Sequence, residues 1–364
     1  MTVSIDRRAL LGSALALGAC STVPAPPPAP LPTTWTKLPT EPYRGKQDDV
    51  VFVDRSTGWY GNGQGKLYRT ADGGASWTKI MDRPGTFVRA LGFVDASTGF
   101  LGNVGTDYFP NVSDETPLYR TRDGGATWEP VTYDGPRVKG ICAIDVLKVP
   151  FVNHGELGWK ATVRAGGRVG TPAFLMESFD GGETWRSRDM GAHTACIYDV
   201  KFLDEKTGFI AGASSGKTDE SNARILKTSD GGKTWRTVYQ SARPWEITWK
   251  IAFPSKKVGY VTVQSYNPDK AVVQRYVAKT TDGGETWAEL PVVDDHAWRA
   301  FGVGFVDDKR GWIGGTTAGM QTEDGGLSWK PVEMGKAVNK IRVVRQEGAT
   351  SVFAIGTELH RLDL

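Results

Sequence analysis

The stretch TADGGASW at 70–77 returns five more times: TRDGGATW at 121–128, SFDGGETW at 178–185, TSDGGKTW at 228–235, TTDGGETW at 280–287 and TEDGGLSW at 322–329. Its aspartates are Asp72, Asp123, Asp180, Asp230, Asp282 and Asp324, spaced 51, 57, 50, 52 and 42 residues apart. A period of roughly 40 to 50 residues with strand-like flanks marks a β-propeller, one box per blade. Within a box, the Asp carboxylate accepts N–H groups a few residues on, and the two glycines take backbone angles that a Cβ resists. The Trp then buries a large ring in the next strand. Each box therefore predicts the hairpin between the third and fourth strands of a blade. Recurrence in every blade assigns the six aspartates to scaffolding rather than to catalysis or metal binding, and no box carries the alternating acidic ligands of a calcium loop.

A second motif precedes the boxes: VFVDRSTGWYGN at 51–62, GFVDASTGFLGN at 92–103, KFLDEKTGFIAG at 201–212, AFPSKKVGYVTV at 252–263 and GFVDDKRGWIGG at 304–315. Apolar runs around a polar turn that ends in Gly predict the first two strands of each blade. In the third repeat AIDV at 143–146 and LGWKATV at 157–163 are expected in the same slots, placing Trp159 beside Trp59 and Trp312. After the last box only three strands follow, within 338–344, 352–356 and 359–364, while TWTKL at 34–38 reads like the segment after a box. The expected fold is an all-β, seven-bladed propeller of four-stranded antiparallel blades over 34–364, its last blade completed by the N-terminal strand, which removes an open sheet edge.

The start reads as an address. Residues 1–19 carry Arg7-Arg8 and then a short apolar run, a signal peptide, followed by Leu17-Gly18-Ala19-Cys20 of lipobox type with Cys20 as the lipidated residue. The general secretory and twin-arginine routes both fit. Residues 20–33 form a Pro-rich tether, which is extended and semi-rigid. Ser21 after the Cys is expected to send an exported, periplasm-facing lipoprotein to the outer membrane of a Gram-negative bacterium. The net charge of +3 becomes +2 without residues 1–19, so no electrostatic footprint for nucleic acid exists. Cys142 and Cys196, at the starts of consecutive blades, are a candidate disulfide in an oxidising compartment, with two buried thiols as the other reading.

Functional candidates are the residues the repeat does not explain. Trp245, Trp249 and Trp298 lie in connectors that run from one blade's outer strand to the next inner strand, on the face opposite the boxes. With Lys250, His296, Arg299, Arg89, Lys139 and Arg243 they are expected to form an aromatic, cationic patch for a partner. The other reading of the tryptophans is a hydrophobic lid over the channel. His154, His193, His296 and His360 have no metal-ligand spacing, no nucleophile elbow occurs, and RAGGRVG at 164–170 reads as a hairpin loop rather than a phosphate cradle. No catalytic residue, metal or cofactor is assigned.

The boxes resemble the Asp-box, or bacterial neuraminidase repeat, family, but the Arg-Ile-Pro motif of its sialidases is missing. In length, blade count and TGW/TGF…RTxDGGxTW text the chain after residue 33 resembles the photosystem II stability/assembly factor family and its relatives in non-photosynthetic bacteria. That resemblance implies a non-catalytic lumenal propeller that binds a membrane-protein precursor; the lipobox departs from such soluble members, so the expected protein is a lipid-anchored scaffold bound to an envelope protein or membrane-protein segment. The alternative is a sialidase-like glycoside hydrolase or a glycan-binding propeller.

Overall fold

The computed structural model describes residues 29–153 and 156–364. From Leu31 onward the chain is one compact unit. It consists of seven four-stranded antiparallel sheets, in agreement with the sequence expectation. Blades I to VI take their strands in chain order, with inner strands Gln47–Phe52, Val88–Phe93, Ala143–Asn153, Cys196–Phe202, Glu246–Ala252 and Ala300–Phe305. Blade VII has Lys340–Gln346 inside, then Ala349–Ile355 and Leu359–Asp363, and takes its outer strand from Thr36–Lys37. Thr36 pairs with Arg361 and Lys37 with His360, so the first and last strands close the ring. Each inner strand touches the inner strands of both neighbouring blades, including that of blade I with that of blade VII. The signal-peptide residues, Cys20 and most of the tether lie outside the described residues, as does His154.

The boxes explain their own sequence. In the first, the Ser76 N–H and Oγ donate to the two Asp72 carboxylate oxygens at 2.9 and 2.6 Å, and the Gly74 N–H donates to Thr70 Oγ1 at 2.9 Å. Gly73 and Gly74 have φ of +72° and +90°, the left-handed region where a Cβ is costly. These hydrogen bonds, the side-chain one from Ser76 first, hold the Asp72 carboxyl down at about 2, against an ordinary carboxylate value near 4. Asp123 is likewise held at about 2; at Asp180 burial works to raise the carboxyl, but the hydrogen bonds of the turn prevail and hold it at about 2. Asp230, Asp282 and Asp324 repeat the geometry. The box carboxylates are thus saturated by their own turn.

Four of the seven seams between adjacent blades hold stacked rings. The aromatic after the Gly of the second motif lies on the phenylalanine that ends the next inner strand: Trp59 on Phe93 at 3.7 Å between ring centroids and Tyr260 on Phe305 at 3.7 Å. Phe353 does the same on Phe52 at 3.7 Å, and Phe209 on Phe253, the residue just beyond its inner strand, at 4.6 Å. Blade III departs from this and corrects the sequence reading. Val163 pairs with Ser178, as Gly58 pairs with Thr70, so the slot of Trp59 is filled by Arg164 and not by Trp159. Arg164 is fully buried, with its guanidinium 3.4 Å from the centroid of Phe202 and its Nε 3.8 Å from the buried Glu177. A planar cation on a ring face keeps the stacking that an aromatic supplies elsewhere.

The register shift has a second result. Blades I, II, IV and VI turn after the pair equivalent to Phe52↔Gly58 and blade VII runs three pairs further, whereas in blade III the first two strands continue pairing from Leu147↔Thr162 to Asn153↔Glu156. Those seven further pairs make a ribbon, about 23 Å long at ~3.3 Å per residue. Trp159 stands on it, 63% exposed. The segment at 164–170, expected as a loop, belongs to the second strand, Glu156–Gly167, through Gly167.

Candidate functional site

The channel mouth is built from β-bulges. The pairing register of the first two strands slips between Gln47 and Asp49, Val88 and Ala90, Ile197 and Asp199, Thr248 and Ile251, and Ala300 and Val303. The residues released from pairing are Asp48, Arg89, Tyr198, Trp249 with Lys250, and Phe301 with Gly302. A bulge re-aims a side chain. Here Asp48, Arg89, Tyr198, Trp249 and Phe301 all line one open cavity of about 850 Å³.

These groups hold one another. Arg89 donates to the Asp48 carboxylate through Nη1 and lies 3.3 Å from Cys142 Sγ through Nε. Its guanidinium is 5.1 Å from the Trp249 ring centroid. The Trp249 indole N–H donates to Asn339 Oδ1 at 2.9 Å, and Asn339 in turn donates to the Asp48 carbonyl at 2.7 Å. Tyr198 and Phe301 flank Trp249 at 5.1 and 6.3 Å between centroids. Lys46 reaches Asp48 at 3.0 Å and sits 5.8 Å from the centroids of both Trp249 and Phe301. Burial lowers the Lys46 ammonium below its ordinary value although Asp48 opposes the change, and burial raises the Tyr198 hydroxyl well above its own.

Deeper in the channel Lys250 donates to the Tyr198 carbonyl at 2.8 Å and lies 3.9 Å from Asp199, which Lys340 approaches at 3.3 Å. Burial pushes the Lys250 ammonium down to about 8, with Asp199 resisting. Burial works to raise the Asp199 carboxyl, but Lys340 and Lys250 prevail and hold it below the usual range. These three groups line a separate small pocket and form a closed polar network rather than a set of free acids and bases.

Loops between second and third strands form the rim. Tyr108 and Phe109 come from blade II, with Phe109 stacked on Phe87 at 4.7 Å, and Tyr266 comes from blade V. Tyr43 and Lys46 arrive from the segment that leads from the closing strand into blade I.

The sequence candidates separate into two groups. Arg89 and Trp249 line the cavity, and Arg299 supports its rim by stacking on Tyr266 at 4.6 Å. Trp298 is not on the surface: it is 2% exposed, packed with Val303, Phe305 and Ile313, and its indole N–H donates to the Ala318 carbonyl at 3.0 Å. Lys250 is buried in the channel. Arg243 spends its guanidinium on Glu246 and Glu289. His296 is half-buried, with Nε2 2.9 Å from the Asn267 carbonyl. Trp245 is half-buried at φ +68°, a conformation rare for a bulky residue, with its carbonyl accepting from the Tyr266 N–H at 2.7 Å. Lys139 is exposed, 3.1 Å from Asp107, and the place beside Arg89 goes to Cys142 instead. Cys142 and Cys196 share one buried cluster and are free thiols in this structure. Among the described residues no group of three or more His, Cys, Asp or Glu could hold a metal ion.

No family model matches the chain. It is 25% identical over 279 residues to the photosystem II assembly lipoprotein Ycf48 of Synechococcus sp. (strain CC9902), covering 67% of this chain and 75% of that one. Among solved structures, YCF48 bound to a D1 peptide superposes with a TM-score of 0.60 at 16% identity, over 90% of this chain and 96% of that one. The Niastella koreensis GH74 enzyme gives 0.51 at 15% identity, over 83% of this chain and 49% of that one. This chain is a propeller that resembles the photosystem II assembly factor family.

Proposed function

We propose that this protein is a non-catalytic scaffold of the cell envelope whose channel mouth holds a segment of a membrane or envelope protein. The observation that carries the reading is the cavity of about 850 Å³: aromatic walls over a floor whose charges are already paired with each other. Such a site offers apolar area and a few oriented polar groups, which suits recognition. An acid–base pair for glycoside hydrolysis needs two available carboxyls facing one cleft. The carboxylates that line this cavity are Asp48, held by Lys46 and Arg89, and Asp82, which Lys79 approaches at 3.1 Å. The Synechococcus relative is named an assembly lipoprotein, and a structural neighbour was solved with a D1 peptide, both in keeping with a scaffold. Lipidation at Cys20, export, and the outer membrane as destination follow from the sequence of the address segment and belong to the same proposal.

The test is a photo-cross-linking amino acid at Tyr108 on the cavity rim, with Leu327 on the box face as control. One membrane or envelope protein captured from native membranes at position 108, absent at 327 and lost on adding Tyr266→Ser, supports the scaffold. No protein adduct at 108, together with turnover of aryl glycosides by the purified chain, replaces it with the hydrolase.

A further inference from the structure

The blade III ribbon points away from the partner cavity. It extends from the turn between first and second strands, which lies on the box face. It exposes one large aromatic on each side. Phe151 pairs with Gly158 and Trp159 with Pro150, and adjacent pairs of a two-stranded ribbon project to opposite faces. Phe151 is 45% and Trp159 63% exposed. A protein surface would cover one face of such a ribbon, whereas lipid surrounds it. A lysine stands behind each aromatic toward the ring. Lys148 shares a face with Trp159, Lys160 shares one with Phe151, and both are exposed. An aromatic with a lysine behind it on each face is the order in which side chains settle at a membrane–water boundary.

The chain's own attachment agrees. The closing strand is antiparallel to Leu359–Asp363, the third strand of blade VII, so it runs from the box face toward the channel mouth. Residues leading into it thus enter the ring on the box face. Cys20 lies eleven residues before Leu31, a Pro-rich stretch that spans about 34 Å at ~3.1 Å per residue when extended. That exceeds the length of the ribbon, so an anchor at Cys20 leaves Phe151 and Trp159 within reach of the same surface. Leu327, in the sixth box turn on this face, is 74% exposed.

We infer that Phe151 and Trp159 insert into the lipid surface that carries the acylated Cys20, so that the box face lies toward the membrane and the channel mouth opens away from it. This rests on the lipid-anchored reading above. The test uses the acylated full chain in vesicles of phosphatidylethanolamine and phosphatidylglycerol, with an environment-sensitive fluorophore at Trp159→Cys or, as control, Tyr108→Cys. Shallow doxyl-lipid quenchers are expected to reduce emission at position 159 by about two-fold or more and to leave position 108 unchanged, as interfacial insertion of one site requires. A vesicle-bound chain whose 159 label is not quenched overturns the inference and leaves the anchor standing. Quenching at 159 that requires an added membrane protein overturns it in favour of a protein dock. A chain whose mass shows no acyl group and which does not bind vesicles overturns both, and the mass separates that failure from the first. The Phe151→Ser/Trp159→Ser variant, labelled at Leu327→Cys, is expected to lose the fixed orientation while keeping its thermal midpoint.

Discussion

Blades I and III solve one packing problem with different chemistry. Blade I places Trp59, fully buried, on Phe93 and ties its indole to the Gly124 carbonyl at 2.9 Å. Blade III places Arg164 on Phe202 and must then satisfy a buried charge with Glu177, itself reached by Arg188 at 2.5 Å. The stacking survives the exchange, so the seam between blades asks for a flat group rather than an apolar one. The exchange also frees the tryptophan of the LGW text to stand on the ribbon.

Trp59→Ala is expected to show the largest loss, about 4 kcal/mol, because a buried indole leaves a cavity that stacked strands cannot close. Arg164→Ala is expected to cost about 3 kcal/mol, since Glu177 keeps only part of its charge compensation. Urea denaturation of both variants decides whether the two seams are equivalent, and an Arg164→Ala loss near zero would break the comparison.

The boxes give a smaller effect per site, and it depends on pH. Asp72, Asp123 and Asp180 sit at about 2 in the fold and near 4 when unfolded, so their contribution is complete above pH 4 and disappears as the pH falls toward 2. Asp72→Asn should flatten that acid limb in a melting-temperature series and leave the neutral-pH slope unchanged. The ribbon comes last. Phe151→Ser with Trp159→Ser is expected to shift stability by less than ~0.5 kcal/mol, because both side chains are substantially exposed. A larger loss would mean that the ribbon packs on the ring.

The repeat made the ring legible because each box carries its turn chemistry in eight adjacent residues. The closing strand was legible for the same reason, Trp35 repeating Trp77. The register of blade III was not, because Gly158-Trp159 copies Gly58-Trp59 locally while pairing is decided across strands. The signal was present as the 57-residue interval between Asp123 and Asp180, the longest of the five. The cavity was half legible. Aromatic connectors point to the face on which the cavity opens, but the bulges that turn Asp48, Tyr198 and Phe301 inward leave no local mark. Trp298 resembles its neighbours in composition and differs only in being packed beneath the next blade.

The closing strand has a mechanical consequence. Thr36 and Lys37 are the only residues of that strand paired to the rest of blade VII, backed by the Leu38 N–H donating to the Leu359 carbonyl at 2.8 Å and by the burial of Leu31, Trp35 and Leu38. Any tension carried by the chain before Leu31 reaches the ring through this short strand. A pull on the N-terminus is therefore a pull on the ring's clasp, and force is expected to open blade VII before the six blades whose strands follow one another in sequence.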